Sequence, residues 1–393
     1  MLRSIPIIAI LLLSTLSLKA QGGSNSAVGD ETISYTYTPL DQTSNAKFGL
    51  HFFKDLNYVA PPSEVVSMSL SGAPIYSQNS GWGLLLKGDM RYNQHHKSAP
   101  PSNVSIAIAA SLTGYYQIDI DGANYIGNRD HKLLYSSTIN SEPTRLYGLD
   151  YITSRGGTYG TYTERRYSVE IGYRYRAHQF LNLGINIDYL NTYATTLSTY
   201  TQEITKGLPL TYKGVGISLL TELTTHKHID VNIERGIRLK IKGEVRPKSL
   251  GSSSRNLWSI EATLNYYQPL WHGALAALDV WGEHHSRHTP WMLRSHVGSD
   301  SRMRGYYQSR YNGNTQLGAQ LELRQRVIRD LVVAGWGGVA TIFSPRDKAS
   351  WHKLLPNYGA GIRWHANSLT AIRIDIGFGL DGWGVVIGMN EAF

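Results

Sequence analysis

The sequence predicts an all-β fold, a transmembrane antiparallel β-barrel of the outer-membrane type with about sixteen strands. Three observations support this: blocks of apolar–polar alternation along most of the chain, an N-terminal segment typical of export, and many aromatic residues. Alternation with a period of two places bulky apolar side chains on one face of a strand and polar side chains on the other. In a membrane barrel the apolar face meets lipid and the polar face lines the lumen.

The alternating blocks continue to the last residue of the chain. Trp383, Val385, Ile387 and Met389 share one face of the final block, which ends with the aromatic Phe393. Earlier blocks carry charged or polar side chains on their second face and span residues 167–176, 181–189, 237–242, 258–266, 317–324 and 372–378. Most approach the roughly 9–11 residues with which a tilted strand crosses a bilayer. Roughly sixteen such blocks follow one another from residue 68 onward, and bacterial barrels use an even number.

The N-terminus indicates export. Arg3 precedes an apolar stretch at residues 5–18, and Lys19-Ala20-Gln21 follows, which predicts a signal peptide at residues 1–20. No later segment approaches the roughly 20 apolar residues of a spanning helix. The chain has no cysteine, which excludes disulfides, thiol chemistry and a lipoprotein anchor. Residues 21–67 are polar and predict a periplasmic lead-in, with room for one short ordered piece around residues 48–53, before a barrel at residues 68–393.

Composition agrees with a barrel that has aromatic girdles and a polar interior. The chain holds 26 Tyr, 9 Trp and 7 Phe, yet its mean hydropathy is only -0.26. A soluble β-sandwich rich in tyrosine stays open on composition alone. The net charge of +9 suits either contact with anionic lipid and lipopolysaccharide headgroups or a lumen rich in Arg and Lys. The lumen interpretation is favoured.

The connections between blocks alternate in length. Short ones at residues 177–180 and near 329–330 predict periplasmic turns, and polar ones at 140–163, 191–210 and 283–314 predict outer loops. With an even number of strands, both termini are predicted on the periplasmic side. Pro74 lies in the first strand, at about residues 68–77, and Gly384 and Gly388 lie in the last. These residues weaken strand pairing, which predicts fewer hydrogen bonds at the closure between the two strands than between interior strands.

Two motifs and the tail carry a family resemblance. The longest outer loop contains Met303-Arg304-Gly305-Tyr306, and the next strand includes Leu321-Glu322-Leu323. Residues 146–150 read Leu-Tyr-Gly-Leu-Asp, and the tail runs from Tyr358-Gly359-Ala360-Gly361 to Phe393. Together these resemble the [V/L]RG[F/Y] loop, the F-[W/Y]-G-[I/L]-G segment and the last strands of the bacterial surface antigen barrels. That superfamily includes the BamA and TamA insertases and the two-partner-secretion transporters. Asp150 departs from the pattern, since the family has glycine there.

The resemblance, which covers residues 68–393, implies that the sixth outer loop folds into the lumen and that Arg304 pairs with Glu322. Glu322 already faces the lumen by its parity, and a guanidinium in a confined lumen is best satisfied by a carboxylate. The second acid that some relatives supply one strand later is missing at residues 333–337, so weaker anchoring or sharing with Asp375 is expected. Arg304, Gly305, Tyr306 and Glu322 are thus the candidate site. The alternative is that Arg304 is a solvated loop arginine.

The resemblance also implies that the last strand is an assembly signal, formed by Trp383, Val385, Ile387, Met389 and Phe393, which makes the chain a client of the barrel-assembly machinery. The alternative for Phe393 is an interfacial anchor among the girdle aromatics, and both can hold together.

By resemblance, the expected function is to assist insertion or translocation of outer-membrane or surface proteins through a seam between first and last strands. The predicted localisation is the outer membrane of a Gram-negative bacterium, in contact with its lipids and lipopolysaccharide. Residues 21–67 are too short and polar for a periplasmic POTRA domain, so periplasmic or outer-membrane partner proteins are expected to substitute. Alternatives are a passive channel for anionic solutes, a structural or receptor barrel, and an outer-membrane enzyme.

Catalytic chemistry is not expected. No GxSxG elbow, P-loop or dinucleotide fingerprint is present, so neither an enzyme, a cofactor nor a nucleic-acid partner is predicted. His284, His285 and His288 lie beside Glu283 and include metal-ligand residue types. They lack the HExxH order and a helix to hold their spacing, so a histidine-rich polar loop is the favoured interpretation.

Overall fold

Sixteen antiparallel strands form a closed barrel in the computed structural model of the chain. The structure describes residues 58–59, 66–92, 101–225, 228–229, 232–233, 235–328, 330–345, 353–365, 371–389 and 391–393. The barrel strands are β1 (Val66–Ser77), β2 (Gly81–Tyr92), β3 (Ser102–Ser111), β4 (Tyr116–Tyr125), β5 (His131–Leu146), β6 (Gly160–His178), β7 (Leu181–Thr195), β8 (Thr211–Thr224), β9 (Gly236–Arg246), β10 (Leu257–Pro269), β11 (Ala274–His285), β12 (Thr315–Ile328), β13 (Leu331–Phe343), β14 (Leu355–His365), β15 (Ala371–Gly379) and β16 (Gly382–Met389). Each pairs with its neighbours in sequence, and β16 returns to β1.

The side chains alternate between the two surfaces of the barrel as predicted. Ile171 and Leu321 are 57% and 54% exposed on the outside, whereas Gln320 and Glu322 are buried within the lumen. Large exposed apolar residues occur on strands all around the wall, which is the reverse of a soluble sandwich. The predicted fold class and the predicted strand number are therefore confirmed.

The two ends of the barrel differ. The end at which β1 begins and β16 finishes, here called the terminal end, carries short turns such as that between β6 and β7. The opposite end, the loop end, carries helices α1 (Tyr151–Arg155) and α2 (Thr199–Ile204), 3-10 helices Lys248–Leu250 and Trp291–Leu293, and the pair Ser295–Val297 with Tyr311–Gly313. A further short pair, His228–Ile229 with Asn232–Ile233, connects β8 to β9. Among the residues described, no helix is long and apolar enough to cross a membrane.

The predicted outer loops at 140–163, 191–210 and 283–314 were wrong in their bounds, because strands extend into each. The ladder between β5 and β6 continues to the pair Leu146 and Gly160, and β7 continues to Thr195. These extensions are rich in polar residues, so the apolar–polar alternation used for prediction is absent there. The predicted signal peptide at 1–20 and nearly all of the lead-in at 21–67 lie outside the described residues.

The closure between β1 and β16 is the least paired junction of the described wall, as predicted. Its one aligned residue pair joins Tyr76 to Ile387, whereas β15 and β16 align over the eight residues of β16. At the loop end, the Gln78 side chain donates a hydrogen bond to the carbonyl oxygen of Trp383. Pro74 lacks a backbone N–H, so it cannot donate across this junction.

Candidate functional site

Loop six, residues 286–314 between β11 and β12, folds into the lumen at the loop end. Val297, Met303 and Tyr311 are fully buried, and they pack in one apolar cluster with Trp281 of β11 and Ile342 of β13. The short strand pair within the loop gives it a defined shape. The apolar cluster therefore holds a polar loop inside the barrel, in contact with the lumen-facing side of the wall.

Arg304 lies at the centre of this contact and is fully buried. Its Nη2 lies 2.6 Å from a carboxylate oxygen of Glu322, and its Nη1 lies 2.7 Å from one of Asp375. The guanidinium also stacks 3.5 Å from the centre of the Trp336 ring. The predicted contact with Glu322 is present, and the second acid is Asp375, as expected from sharing. The alternative of a solvated loop arginine is wrong.

The two carboxylates belong to a larger ion network that joins three strands. Arg363 of β14 lies 3.2 Å from Glu322 and also pairs with Asp375. Arg324 of β12 lies 2.8 Å from the same oxygen of Glu322 that Arg363 contacts, and Arg373 of β15 lies 3.5 Å from Asp375. Buried charges are tolerated when they are paired and hydrogen-bonded, so each acid here compensates several cations. The network fixes β12, β14 and β15 to loop six.

Gly305 allows the backbone of loop six to touch the backbone of β15. Its φ is +106°, and a Cβ at this position would lie 2.5 Å from the carbonyl carbon and oxygen of Gly377. A Cβ on Gly377 would in turn collide with the carbonyl oxygen of Arg304. Sequence reasoning identified Gly305 but missed Gly377. The available signal was a glycine on the same, lumen-facing side of the strand as Arg373 and Asp375.

Tyr306 attaches the motif to the last strands. Its hydroxyl donates to the carbonyl oxygen of Pro356, 2.7 Å away, and accepts from the backbone N–H of Leu380 at 3.0 Å. Burial raises the pKa of Tyr306 to about 12, so the phenol keeps its proton at physiological pH and remains a donor. Asn357 of β14 donates to the carbonyl oxygen of Arg304. Sequence reasoning missed Asn357, which no local pattern distinguishes.

We predict that Gly305→Ala loosens loop six and lowers the stability of the folded barrel. The positive φ costs an L-residue about 1–2 kcal/mol, and the collision with Gly377 adds to it, so a loss of about 2 kcal/mol or more is expected. Gly157→Ala is the matched control, because Gly157 also has a positive φ, of +82°, but no atom within 4 Å of its Cβ position. The measurement is the melting temperature of the fast-migrating form in unboiled gels. Equal losses for the two variants would contradict the backbone contact.

The structure separates the residues of the predicted assembly signal. Trp383 is 59% exposed on the outer surface, and Val385, Ile387 and Met389 share its parity on β16. Phe393 instead lies on the lumen side, where its carbonyl oxygen accepts from Nη2 of Arg324 at 3.1 Å. The anchor interpretation of Phe393 is therefore wrong for the folded barrel. Whether the tail acts as an assembly signal before folding stays a prediction.

The reason for the inward path of the tail is charge. The carboxylate of Glu391 lies 3.1 Å from Nε of Arg363 and 3.4 Å from Nε of Arg324. The guanidinium of Arg324 also lies 5.2 Å from the centre of the Phe393 ring. Without Glu391, the four arginines of the network face two acids, so the tail supplies the third carboxylate.

The histidines near the start of loop six are divided between the two surfaces of the wall. His284 is exposed, and its Nδ1 lies 2.7 Å from the hydroxyl of Thr315. His285 has the opposite parity and pairs with Glu283 at 2.6 Å. Within the described part of the chain, no group of three His, Cys, Asp or Glu side chains is placed to hold a metal ion.

The motif of residues 146–150 lies at the loop end, beside loop six. Leu146 and Tyr147 are buried, and the Tyr147 ring lies 4.5 Å from the guanidinium of Arg310. Asp150, where the resembled family has glycine, accepts a hydrogen bond from the backbone N–H of Thr153 at 2.9 Å and caps α1. The departure from the motif therefore has a local structural role.

Comparison with known proteins gives the fold. No protein-family model matches the sequence, and no curated protein sequence is significantly similar. Among solved structures, the barrel is similar to BamA from Haemophilus ducreyi lacking POTRA domains 1–3, with a TM-score of 0.57 and 10% identity over 86% of this chain and 75% of that one. CdiB from Escherichia coli gives a TM-score of 0.57 and 13% identity over 84% of this chain and 63% of that one.

CdiB from Acinetobacter baumannii gives a TM-score of 0.55 and 13% identity over 84% of this chain and 60% of that one. The chain thus spans less than two thirds of the length of either CdiB chain. At these identities the similarity shows the fold alone, a β-barrel that resembles those of outer-membrane proteins.

Proposed function

We propose that this protein is an integral barrel of a Gram-negative outer membrane that assists insertion or translocation of outer-membrane or surface proteins, together with partner proteins. The observation that carries the proposal is the closure between β1 and β16, which aligns over one residue pair in the described wall. The similarity of the barrel to BamA and CdiB supports it. In this proposal, lipids and lipopolysaccharide contact the exposed apolar side chains of the barrel wall.

The mechanism follows from the unequal strength of the wall. The loop-six network fixes β12, β14 and β15, so the wall is stiff up to the strand before the closure. Opening between β1 and β16 breaks few hydrogen bonds and exposes the backbone donors and acceptors of a strand edge. An exposed edge is a template on which an extended client strand can pair. No nucleotide, cofactor or covalent step is needed, so we propose that the protein is not an enzyme.

The test closes the seam with a disulfide. The chain has no native cysteine, and Tyr76→Cys with Ile387→Cys places two thiols on aligned residues of β1 and β16. The control is Leu264→Cys with Val280→Cys, which are aligned on β10 and β11. Insertion of an unfolded outer-membrane barrel into vesicles that contain the protein is then measured. We expect the oxidised seam variant to lose activity and regain it on reduction, while the control stays active. An active, oxidised seam variant would overturn the proposal.

A passive channel for anionic solutes is the second candidate, and it is favoured by the basic side chains on the lumen face of β9. Arg238, Lys240 and Lys242 follow one another on that face, although Glu222 and Glu244 pair with two of them. Loop six occupies part of the lumen, so low and irregular single-channel conductance is expected for an insertase. A large, steady, anion-selective conductance that the seam disulfide leaves unchanged would favour the channel.

A further inference from the structure

Two segments share one edge of β1. On its other edge, β1 pairs with β2 along its whole length, from Val66 to Ser77. A strand has two edges, so every remaining partner must lie on the edge that faces β16. Ile387 of β16 lies opposite Tyr76 there. Nearer the terminal end, the short strand Tyr58–Val59 pairs antiparallel with the same edge, opposite Leu70 and Ser69.

The register shows that the N-terminal segment and the C-terminal tail cannot both pair with the terminal-end half of this β1 edge. From the pair of Tyr76 with Ile387, continuing the antiparallel ladder toward the terminal end would bring Phe393 opposite Leu70. Leu70 is the residue that faces Tyr58. The position that Phe393 would fill in a fully paired seam is therefore already occupied by the N-terminal segment.

The tail is held elsewhere by the ion network. Glu391 pairs with Arg363 and Arg324, and Arg324 donates to the carbonyl oxygen of Phe393. Drawing the tail into the lumen leaves the terminal-end half of the β1 edge to another partner. Unpaired backbone groups at membrane depth are costly, so a substitute strand stabilises this edge.

We propose that Tyr58–Val59 is an intramolecular strand that covers the edge of β1 facing β16 when the C-terminal tail is bound in the lumen. This rests on the proposed function, since a client strand would then have to displace it. The match is two residues long, which makes displacement easy. Along β1, Met68 and Leu70 face outward and alternate with Ser67, Ser69 and Ser71. The edge therefore suits an extended strand of a barrel precursor that is apolar on one face and small or polar on the other.

Two disulfide reporters test the arrangement in outer membranes. Tyr58→Cys with Leu70→Cys reports the covered edge, and Phe393→Cys with Leu70→Cys reports the fully paired seam. Tyr58→Cys with Ile106→Cys, on the outer face of β3, measures background. We expect the first pair to form a disulfide well above background and the second to stay near it. A first pair that stays at background overturns the proposal.

Glu391→Gln tests the competition, with Glu391→Asp as a control that keeps the charge. Loss of the carboxylate should release the tail, raise the Leu70–Phe393 crosslink severalfold and lower the Tyr58–Leu70 crosslink. Unchanged crosslinks in a variant that still migrates as a folded barrel overturn the competition. If Glu391→Gln does not fold, the Tyr58–Leu70 reporter in the protein that retains Glu391 decides the proposal.

The crosslinks are read without any insertion activity, so they separate this inference from the function. If the Tyr58–Leu70 disulfide forms and blocks insertion into vesicles, both stand. If it forms while no variant, oxidised or reduced, inserts a client, the covered edge stands and the proposed function fails. If insertion is normal with the Tyr58–Leu70 disulfide formed, displacement of the strand is overturned.

Discussion

Arginine in place of Ile171 is expected to prevent accumulation of the folded barrel, whereas arginine in place of Ser136 leaves it folded. Ile171 is 57% exposed on the outer face of β6, and an arginine near the bilayer midplane on this face costs about 2–4 kcal/mol. Ser136 lies at the same depth, because it is aligned with Glu170, but it faces the lumen. An arginine there would lie between Asp121 and Glu170, its two cross-strand neighbours.

The measurement is the amount of heat-modifiable protein in purified outer membranes. Both substitutions lie at the same depth and leave the strand lengths and the strand pairing unchanged. The difference in accumulation between the two variants therefore reports which surface meets lipid. Equal accumulation of both variants would contradict the assignment of the outer face and with it the membrane location of the barrel.

Arg304→Ala is expected to give the second large effect, a loss of about 3 kcal/mol in the stability of the folded form. Removing one partner of a buried pair typically costs about 3–5 kcal/mol. We expect a loss at the lower end of this range because Arg363 still neutralises both Glu322 and Asp375. The melting temperature of the fast-migrating form in unboiled gels measures the loss.

Two further variants separate the causes of this loss. Arg304→Lys keeps the charge but not the fork that reaches two carboxylates, so we expect an intermediate loss. Arg255→Ala removes an exposed arginine from the loop between β9 and β10 and should leave stability unchanged. A melting temperature for Arg304→Ala that matches that of Arg255→Ala would show that the buried pair contributes nothing.

The sequence predicts the strands of the barrel wall better than it predicts the contacts inside the lumen. Alternation is a local property, so the faces of Ile171 and Glu322 follow from the residues themselves. The pairing of Arg304 with Glu322 could be predicted because the resemblance named the arginine and parity placed the acid. The roles of Gly377 and Asn357 could not, since they depend on which strands lie beside loop six after closure.

The inward path of the tail was missed for the same reason. Periodicity places Phe393 on the outer face with Met389, and nothing near it in sequence opposes that assignment. The opposing interactions come from Arg324 and Arg363, on strands that are adjacent to the tail only in the folded barrel. Local pattern therefore fails where long-range charge decides the path of the chain.

The partners of Arg304 impose an order on barrel folding. Glu322 is 18 residues away in the chain, within the hairpin that follows loop six, but Asp375 is 71 residues away. Contacts between residues distant in sequence form late, because a long segment of chain must first be ordered. Loop six can therefore seat fully only after β14 and β15 have joined the sheet. Its docking marks a nearly finished barrel, and chains that stall earlier would keep the loop outside the lumen, accessible to protease.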